Sequence, residues 1–239
     1  MRRPNLALCA PLVAAALIVG SGVSSAAVIA TATFDITSDH CSAGDGCLDA
    51  NTGASGGTIT VTQNDSGTPL DTTDDTLTFD VALNPDLQFI NGGQDATFGF
   101  DLVGNPQITY SSVTTGFAPA TNPQSAGTLH LDGTGFFEYG VNCTGCGPGG
   151  SAPLAGPLDF TISATGGLTL ASLQQNADGQ IFAIDVINTA ANPNVTGFVD
   201  ASSGTIVVPP QEAPEPGILA LLSAGLLAVG FSRIRKPRN

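Results

Sequence analysis

The sequence predicts an all-β protein. It reads as an antiparallel β-sandwich of jelly-roll type with about ten short strands, preceded by a cleaved N-terminal signal and followed by a short C-terminal transmembrane sorting helix. Three observations carry this. The 239 residues are rich in Gly, Thr, Asp, Asn and Pro and, outside the two ends, poor in the Lys, Glu and Leu that helices favour. Apolar and polar residues alternate over short runs, the pattern of a half-buried strand. Gly, Asn, Asp and Pro separate those runs, as turns require.

Taken in order, Met1 to Ala27 has the layout of a secretory signal. Arg2 and Arg3 begin it, Leu12 to Val19 form an apolar core, and "SGVSSAA" supplies the small residues that suit cleavage after Ala26 or Ala27. Cys9 follows bulky Leu8 and precedes most of the apolar core, so it is expected to leave with the signal. Residues 28–208 form the body. In "TATFDIT", Ala32, Phe34 and Ile36 share a face; in "TLTFDVALN", Leu77, Phe79, Val81 and Leu83 do the same; in "ATFGFDLV", Phe98, Phe100 and Leu102. Seven more runs follow: "QITYSSV", "GTLHLDG", "GFFEYGV", "LDFTISA", "IFAIDVI", "TGFVDA" and "GTIVV". Only Leu168 to Asn176 offers a helical turn. A body of this size is ample for one two-layer core.

Residues 209–216, within "VVPPQEAPEP", form a proline-rich spacer, kept extended by its prolines. Residues 217–239 close the chain with an apolar run, Gly217 to Phe231, and a basic end containing Arg233, Arg235, Lys236 and Arg238. As a helix that run reaches roughly 22 Å, against about 30 Å of hydrocarbon, so it inserts as a short segment helped by snorkelling basic side chains. The basic end places the body on the outer side of the membrane. Pro214-Glu215-Pro216, the leucine-rich span with Gly225 and Gly230, and the terminal Arg233 and Arg235 resemble the PEP-CTERM sorting signal of Gram-negative bacteria. The basic end "FSRIRKPRN" is more broken than an unbroken arginine run. The resemblance implies recognition by exosortase, a membrane transpeptidase-like cysteine protease that cleaves near the triplet, and an association with exopolysaccharide. "FGFDLVGNPQITY" and "FFEYGVNCTGCGPGGSAPLAGPLDFTISATGGLTL" look like ectodomains that accompany such tails, for which no activity is implied.

Charge excludes several function classes. All six basic residues lie at the ends, none between Pro4 and Ser232, whereas all twenty acidic residues fall between Asp35 and Glu215. Nucleic-acid binding needs Lys and Arg against phosphate, and the body has neither. It also lacks an arginine fork for carboxylate or phosphate and a lysine for Schiff-base chemistry. Its self-repulsion must be relieved by salt, by divalent cations or by dispersal of the acids.

Four cysteines remain after removal of the signal: Cys41, Cys47, Cys143 and Cys146. Export to an oxidising compartment predicts two disulfides, with three connectivities open and local pairing expected to staple two Gly-rich loops. Cys143-Thr-Gly-Cys146 has redox spacing, but the "CGPGG" around it cannot start the helix that lowers a reactive thiol's pKa. A four-cysteine zinc site is disfavoured by the wider spacing of the first pair. For a metal, "DTTDDT" offers Asp71, Asp74 and Asp75, and "DHCSAGDGCLD" offers Asp39, Asp45 and Asp49; calcium takes such loop carboxylates, and the same acids also serve as solvated strand ends. His40 and His130 are the only histidines, neither in a nucleophile motif, with His130 at an expected exposed strand position. There is no Trp, and Tyr110 and Tyr139 are the only tyrosines for stacking on sugars.

The expectation is a non-enzymatic exported protein, tethered at the inner membrane during sorting and then placed in the envelope or extracellular matrix, with a structural or adhesive role beside exopolysaccharide. Two alternatives stay open: a Ca²⁺-dependent glycan-binding module, and a secreted hydrolase using an acidic pair.

Overall fold

A computed structural model describes residues 27–41, 46–48, 55–68, 71–120, 127–190 and 195–207. The signal up to residue 26, Asp45, Asp49, the linker, the Pro214-Glu215-Pro216 triplet and the sorting helix with Arg233 and Arg235 lie outside the described residues. Among the described residues no helix is long and apolar enough to cross a membrane.

The described chain is all-β. Its strands are β1 (Ala27–Asp35), β2 (Ser38–Asp39), β3 (Gly57–Asp65), β4 (Thr76–Leu83), β5 (Leu87–Phe89), β6 (Phe98–Leu102), β7 (Ile108–Ser111) and β8 (Phe117–Pro119). They continue with β9 (Leu129–Leu131), β10 (Gly135–Phe137), β11 (Tyr139–Cys143), β12 (Leu158–Ala164), β13 (Leu173–Gln174), β14 (Phe182–Asn188), β15 (Val195–Ala201) and β16 (Gly204–Val207). Two 3₁₀ turns interrupt them, Leu170–Ser172 within the stretch expected to offer a helical turn and Thr72–Asp74 within the acidic "DTTDDT" loop. The count exceeds the expected ten. Four of the extra strands have only two or three residues, too short to alternate. "GFFEYGV" divides into β10 and β11 at Glu138. The nine-residue β3 is the substantive correction: "GTITVTQND" alternates buried Ile59 and Val61 with β-branched Thr58, Thr60 and Thr62, a strand pattern absent from the ten expected runs.

One sheet has the order β16-β1-β3-β4-β12-β7, a second is built on β2-β15-β14-β6-β11-β8 with β5 and β13 attached, and β9 and β10 form a hairpin of their own. All pairings between these strands are antiparallel. The two large sheets contribute rings to one core. Phe34, Phe79 and Phe160 come from the first, and Phe98, Phe100 and Phe182 from the second. Ring centroids are 5.1 Å apart for Phe79–Phe100, 5.7 Å for Phe98–Phe160 and 4.9 Å for Phe34–Phe182, within the range in which aromatic pairs attract.

The second sheet is buried on its other face too. Leu129, Leu131 and Phe137 of the β9–β10 hairpin pack with Ala183 and Phe198 in a separate small core. A Cβ at Gly99 would meet Leu131 at 2.5 Å and Phe137 at 3.0 Å, so glycine is what lets the hairpin lie against β6. With the hairpin over Gly99 and Ala183, and Gly92 bonded to the Asp185 carboxylate, β6 and β14 are buried at every position instead of at alternate ones. The cysteines pair locally, Cys41 with Cys47 and Cys143 with Cys146, at Cα separations of 5.6 and 5.4 Å.

Candidate functional site

The turn joining β3 to β4 gathers three carboxylates. β3 delivers Asp65 at its last residue, inward-facing because it follows Ile59, Val61 and Gln63 at two-residue intervals. Asp65 Oδ1 then accepts from the amides of Gly67 at 2.8 Å and Thr68 at 2.7 Å, which bends the chain back. The 3₁₀ turn returns Asp74 and Asp75 to the same place. One carboxylate oxygen from each of Asp65, Asp74 and Asp75 lies within 4.8 Å of the other two. Thr68 Oγ1 donates to the Asp74 carboxylate, 2.8 and 2.9 Å from its two oxygens, and Ser66 Oγ donates to the Asp74 carbonyl at 2.9 Å. Asp75, 1% exposed, takes the Gln63 side-chain amide on Oδ2 at 2.6 Å, while its Oδ1 is buried without a hydrogen-bond partner among the described residues. Gln63 in turn accepts from Leu170 N at 3.1 Å, and Leu168 N donates to Asp75 O at 2.9 Å. The turn is thereby fixed to the 3₁₀ segment that precedes β13.

Of the sequence-derived metal candidates, Asp74 and Asp75 enter this cluster and Asp71 does not. Asp71 caps the 3₁₀ turn, accepting from the Thr73 hydroxyl at 2.6 Å and the Thr73 amide at 3.0 Å, and these bonds hold its carboxyl below the ordinary value. Asp65 was missed because it lies nine residues before Asp74. The signal for it was the "ND" ending a Thr-alternating run. Asp39 lies beside Cys41 and Cys47, but those sulfurs are joined, and its two oxygens clamp the amides of Cys41 at 2.8 Å and Leu48 at 2.6 Å.

Other titratable groups are built into the scaffold. His40 Nε2 lies 2.6 Å from buried Asp200 Oδ2, with Ser38 Oγ 3.4 Å from the same nitrogen. A Ser–His–Asp relay needs the acid and the hydroxyl on opposite ring nitrogens, so this trio lacks the geometry of a nucleophile. Asp101 accepts from the Glu138 amide at 2.6 Å, and burial pushes its carboxyl up to about 6, with the Glu138 charge adding to the rise. Burial also raises Glu138 and holds the Tyr139 phenol well above its usual value. His130 is exposed on β9 with its ring 4.8 Å from Phe136, in agreement with the sequence reading.

The outward face of the six-stranded sheet is a field of hydroxyls. Register places Thr31, Thr62, Thr78, Thr161 and Ser111 side by side across five strands. The adjacent row runs Thr205, Thr33, Thr60, Asp80 and Asp159. Thr78 and Thr161 are hydrogen-bonded at 2.9 Å. Asp80 faces Asp159 directly; partial burial and then that neighbouring charge hold Asp159 above the ordinary carboxyl value. Beside Asp80 the face runs into a recess of about 340 Å³ whose polar lining is Asp80, Asn84 and Gln88. β3 lies at the middle of this face and joins the hydroxyls of β1 to those of β4.

A family model described as the PEP-CTERM protein-sorting motif matches residues 212–236. No curated protein and no solved structure matches the chain. The chain thus carries the sorting motif that the Pro214-Glu215-Pro216 triplet and basic end resemble. The motif marks an exported protein sorted by exosortase, a membrane protein, in Gram-negative bacteria.

Proposed function

We propose that this protein is a non-enzymatic structural or adhesive component of the cell envelope or extracellular matrix. Its body is a two-sheet β-sandwich scaffold that exosortase releases near Pro216 into an exopolysaccharide-rich layer. The observation that carries the adhesive reading is the outward face of the six-stranded sheet. Adjacent strands lie about 4.8 Å apart, so its Thr and Ser hydroxyls form a regular array of small donors and acceptors. Such an array suits hydrogen bonding to polysaccharide hydroxyls over an extended contact, without the aromatic platform that lectin sites use. The non-enzymatic reading is supported by the structural employment of Asp39, Asp71, Asp101 and His40.

The test uses the full chain expressed in an exosortase-bearing, exopolysaccharide-producing bacterium. The protein in the matrix fraction should end near Pro216 by intact mass. Replacing Thr33, Thr60 and Thr62 together with Val, which keeps the β-branched shape and removes the hydroxyls, should lower its retention by the purified polysaccharide while leaving its melting midpoint nearly unchanged. Retention of Arg233 to Asn239 in the matrix form, or equal polysaccharide retention by the triple variant, would reject the reading.

A further inference from the structure

We propose that the β3–β4 turn is a Ca²⁺ site whose protein ligands are the carboxylates of Asp65, Asp74 and Asp75. Two observations, independent of one another, converge on it. The first is spacing. One oxygen from each of three carboxylates lies within 4.8 Å of the other two, close enough for all three to reach one ion whose ligands sit at about 2.3–2.6 Å. Turn carboxylates with water in the remaining positions suit Ca²⁺, whereas Mg²⁺ demands a near-ideal octahedron and dehydrates reluctantly. The second is the buried oxygen. Asp75 is 1% exposed, and its Oδ1 has no hydrogen-bond donor among the described residues. A buried carboxylate oxygen left unpaired is costly. No Lys or Arg lies between Pro4 and Ser232 to pair with it. A cation held among the three carboxylates satisfies that oxygen and removes their mutual repulsion together.

The surrounding bonds preorganise these side chains. Gln63 orients Asp75, the Gly67 and Thr68 amides orient Asp65, and the Thr68 hydroxyl orients Asp74. Each thereby has its carboxylate directed by a neighbour, as metal ligands commonly do. Water supplies the remainder of a Ca²⁺ shell. Because Gln63 and Asp75 also bind Leu170 N and Leu168 N, the ion would fasten the β3–β4 turn to the 3₁₀ segment at Leu170–Ser172. The proposal does not depend on the adhesive reading of the Thr-rich face.

The experiment is a CaCl₂ titration of the chelator-treated full-length chain in mild detergent, by calorimetry and by thermal melting, with ionic strength held constant. One ion per chain should bind, with a dissociation constant on the order of 10⁻⁴–10⁻³ M, as in extracellular calcium modules. At 10 mM the melting midpoint should rise by roughly 4–8 °C. Asp74 is exposed, so Asp74→Asn should fold normally in chelator yet bind at least about tenfold more weakly. Asp71→Asn should bind as the wild type does. Absence of saturable binding to the wild type, wild-type affinity in both Asp65→Asn and Asp74→Asn, or an equal midpoint shift with MgCl₂ would each overturn the proposal.

Discussion

Asp185 shows what a carboxylate costs in a body without Lys or Arg. It lies within β14, 2% exposed, and its Oδ2 accepts from Gly92 N at 2.6 Å. Burial pushes its carboxyl up to about 7, against that hydrogen bond. Asp101 is raised to about 6 for the same reason. An acid whose folded pKa exceeds its unfolded value, near 3.9, binds its proton more tightly when folded. The stability it confers is complete below about pH 4 and is lost as pH rises through about 6 to 7. The protein should therefore be more stable at pH 5 than at pH 8, which denaturant titration at the two values will measure. Asp185→Asn keeps an amide oxygen as acceptor for Gly92 and removes the charge. At pH 8 it should gain about 1–3 kcal/mol, less than the full pKa difference implies because the charged hydrogen bond is also lost. At pH 5 the gain should largely vanish. A variant weaker than the wild type at pH 8 would mean that the ionised carboxylate is a stabilising group.

Within a single strand, neighbouring residues do opposite work. Phe79 of β4 is fully buried and stacks on Phe160, the strand partner in the same sheet, at 4.6 Å. It also meets Phe98, Phe100 and Phe182 of the facing sheet at 6.4, 5.1 and 6.1 Å. Thr78, one residue earlier, points to the opposite side and bonds Thr161. Phe79→Ala should cost about 3–5 kcal/mol, whereas Thr78→Ala should cost about 1 kcal/mol or less; urea midpoints of the two variants give the comparison. That two-residue period is why β1, β4 and β12 could be read from sequence, down to the inward positions Ala32, Phe34, Leu77, Phe79 and Val81. In β6 it likewise placed Phe98, Phe100 and Leu102 on the core side. What it did not show is that β6 and β14 are covered on their second face too, by the β9–β10 hairpin at Gly99 and Ala183 and by Gly92 at Asp185. β3 carries the same period, with Ile59 and Val61 set between Thr58, Thr60 and Thr62, yet it was not among the expected strands, and the hydroxyl face and Asp65 both depend on it. Local pairing of the cysteines was expected from their spacing. The proximity of Asp65 to Asp74 was not, because it depends on how a turn closes after a strand that had not been recognised.

At the scale of the whole molecule, the segregation of charge makes the effect of salt unusually simple. In most proteins added salt weakens attractive ion pairs as well as repulsive contacts, so the net sign varies. Here every Lys and Arg lies before Asn5 or after Ser232, and the twenty acids lie between them. Among the described residues the contact between a basic side chain and a carboxylate is His40–Asp200, and Asp200 is fully buried, where salt screens little. Screening in the folded body therefore acts almost wholly on repulsion, including the Asp80–Asp159 pair on the sheet face. The unfolded chain holds the same charges farther apart and benefits less. Raising NaCl from about 0.01 M to 1 M, which shortens the Debye length from about 30 to about 3 Å, should thus raise the melting midpoint steadily. The rise should be about 2–4 °C for each kcal/mol of repulsion relieved. KCl should act as NaCl does, because screening depends on ionic strength and not on which monovalent cation supplies it. A flat or falling midpoint would show that the acids are too dispersed to repel, and that the absence of Lys and Arg from the body costs the fold nothing in ordinary salt.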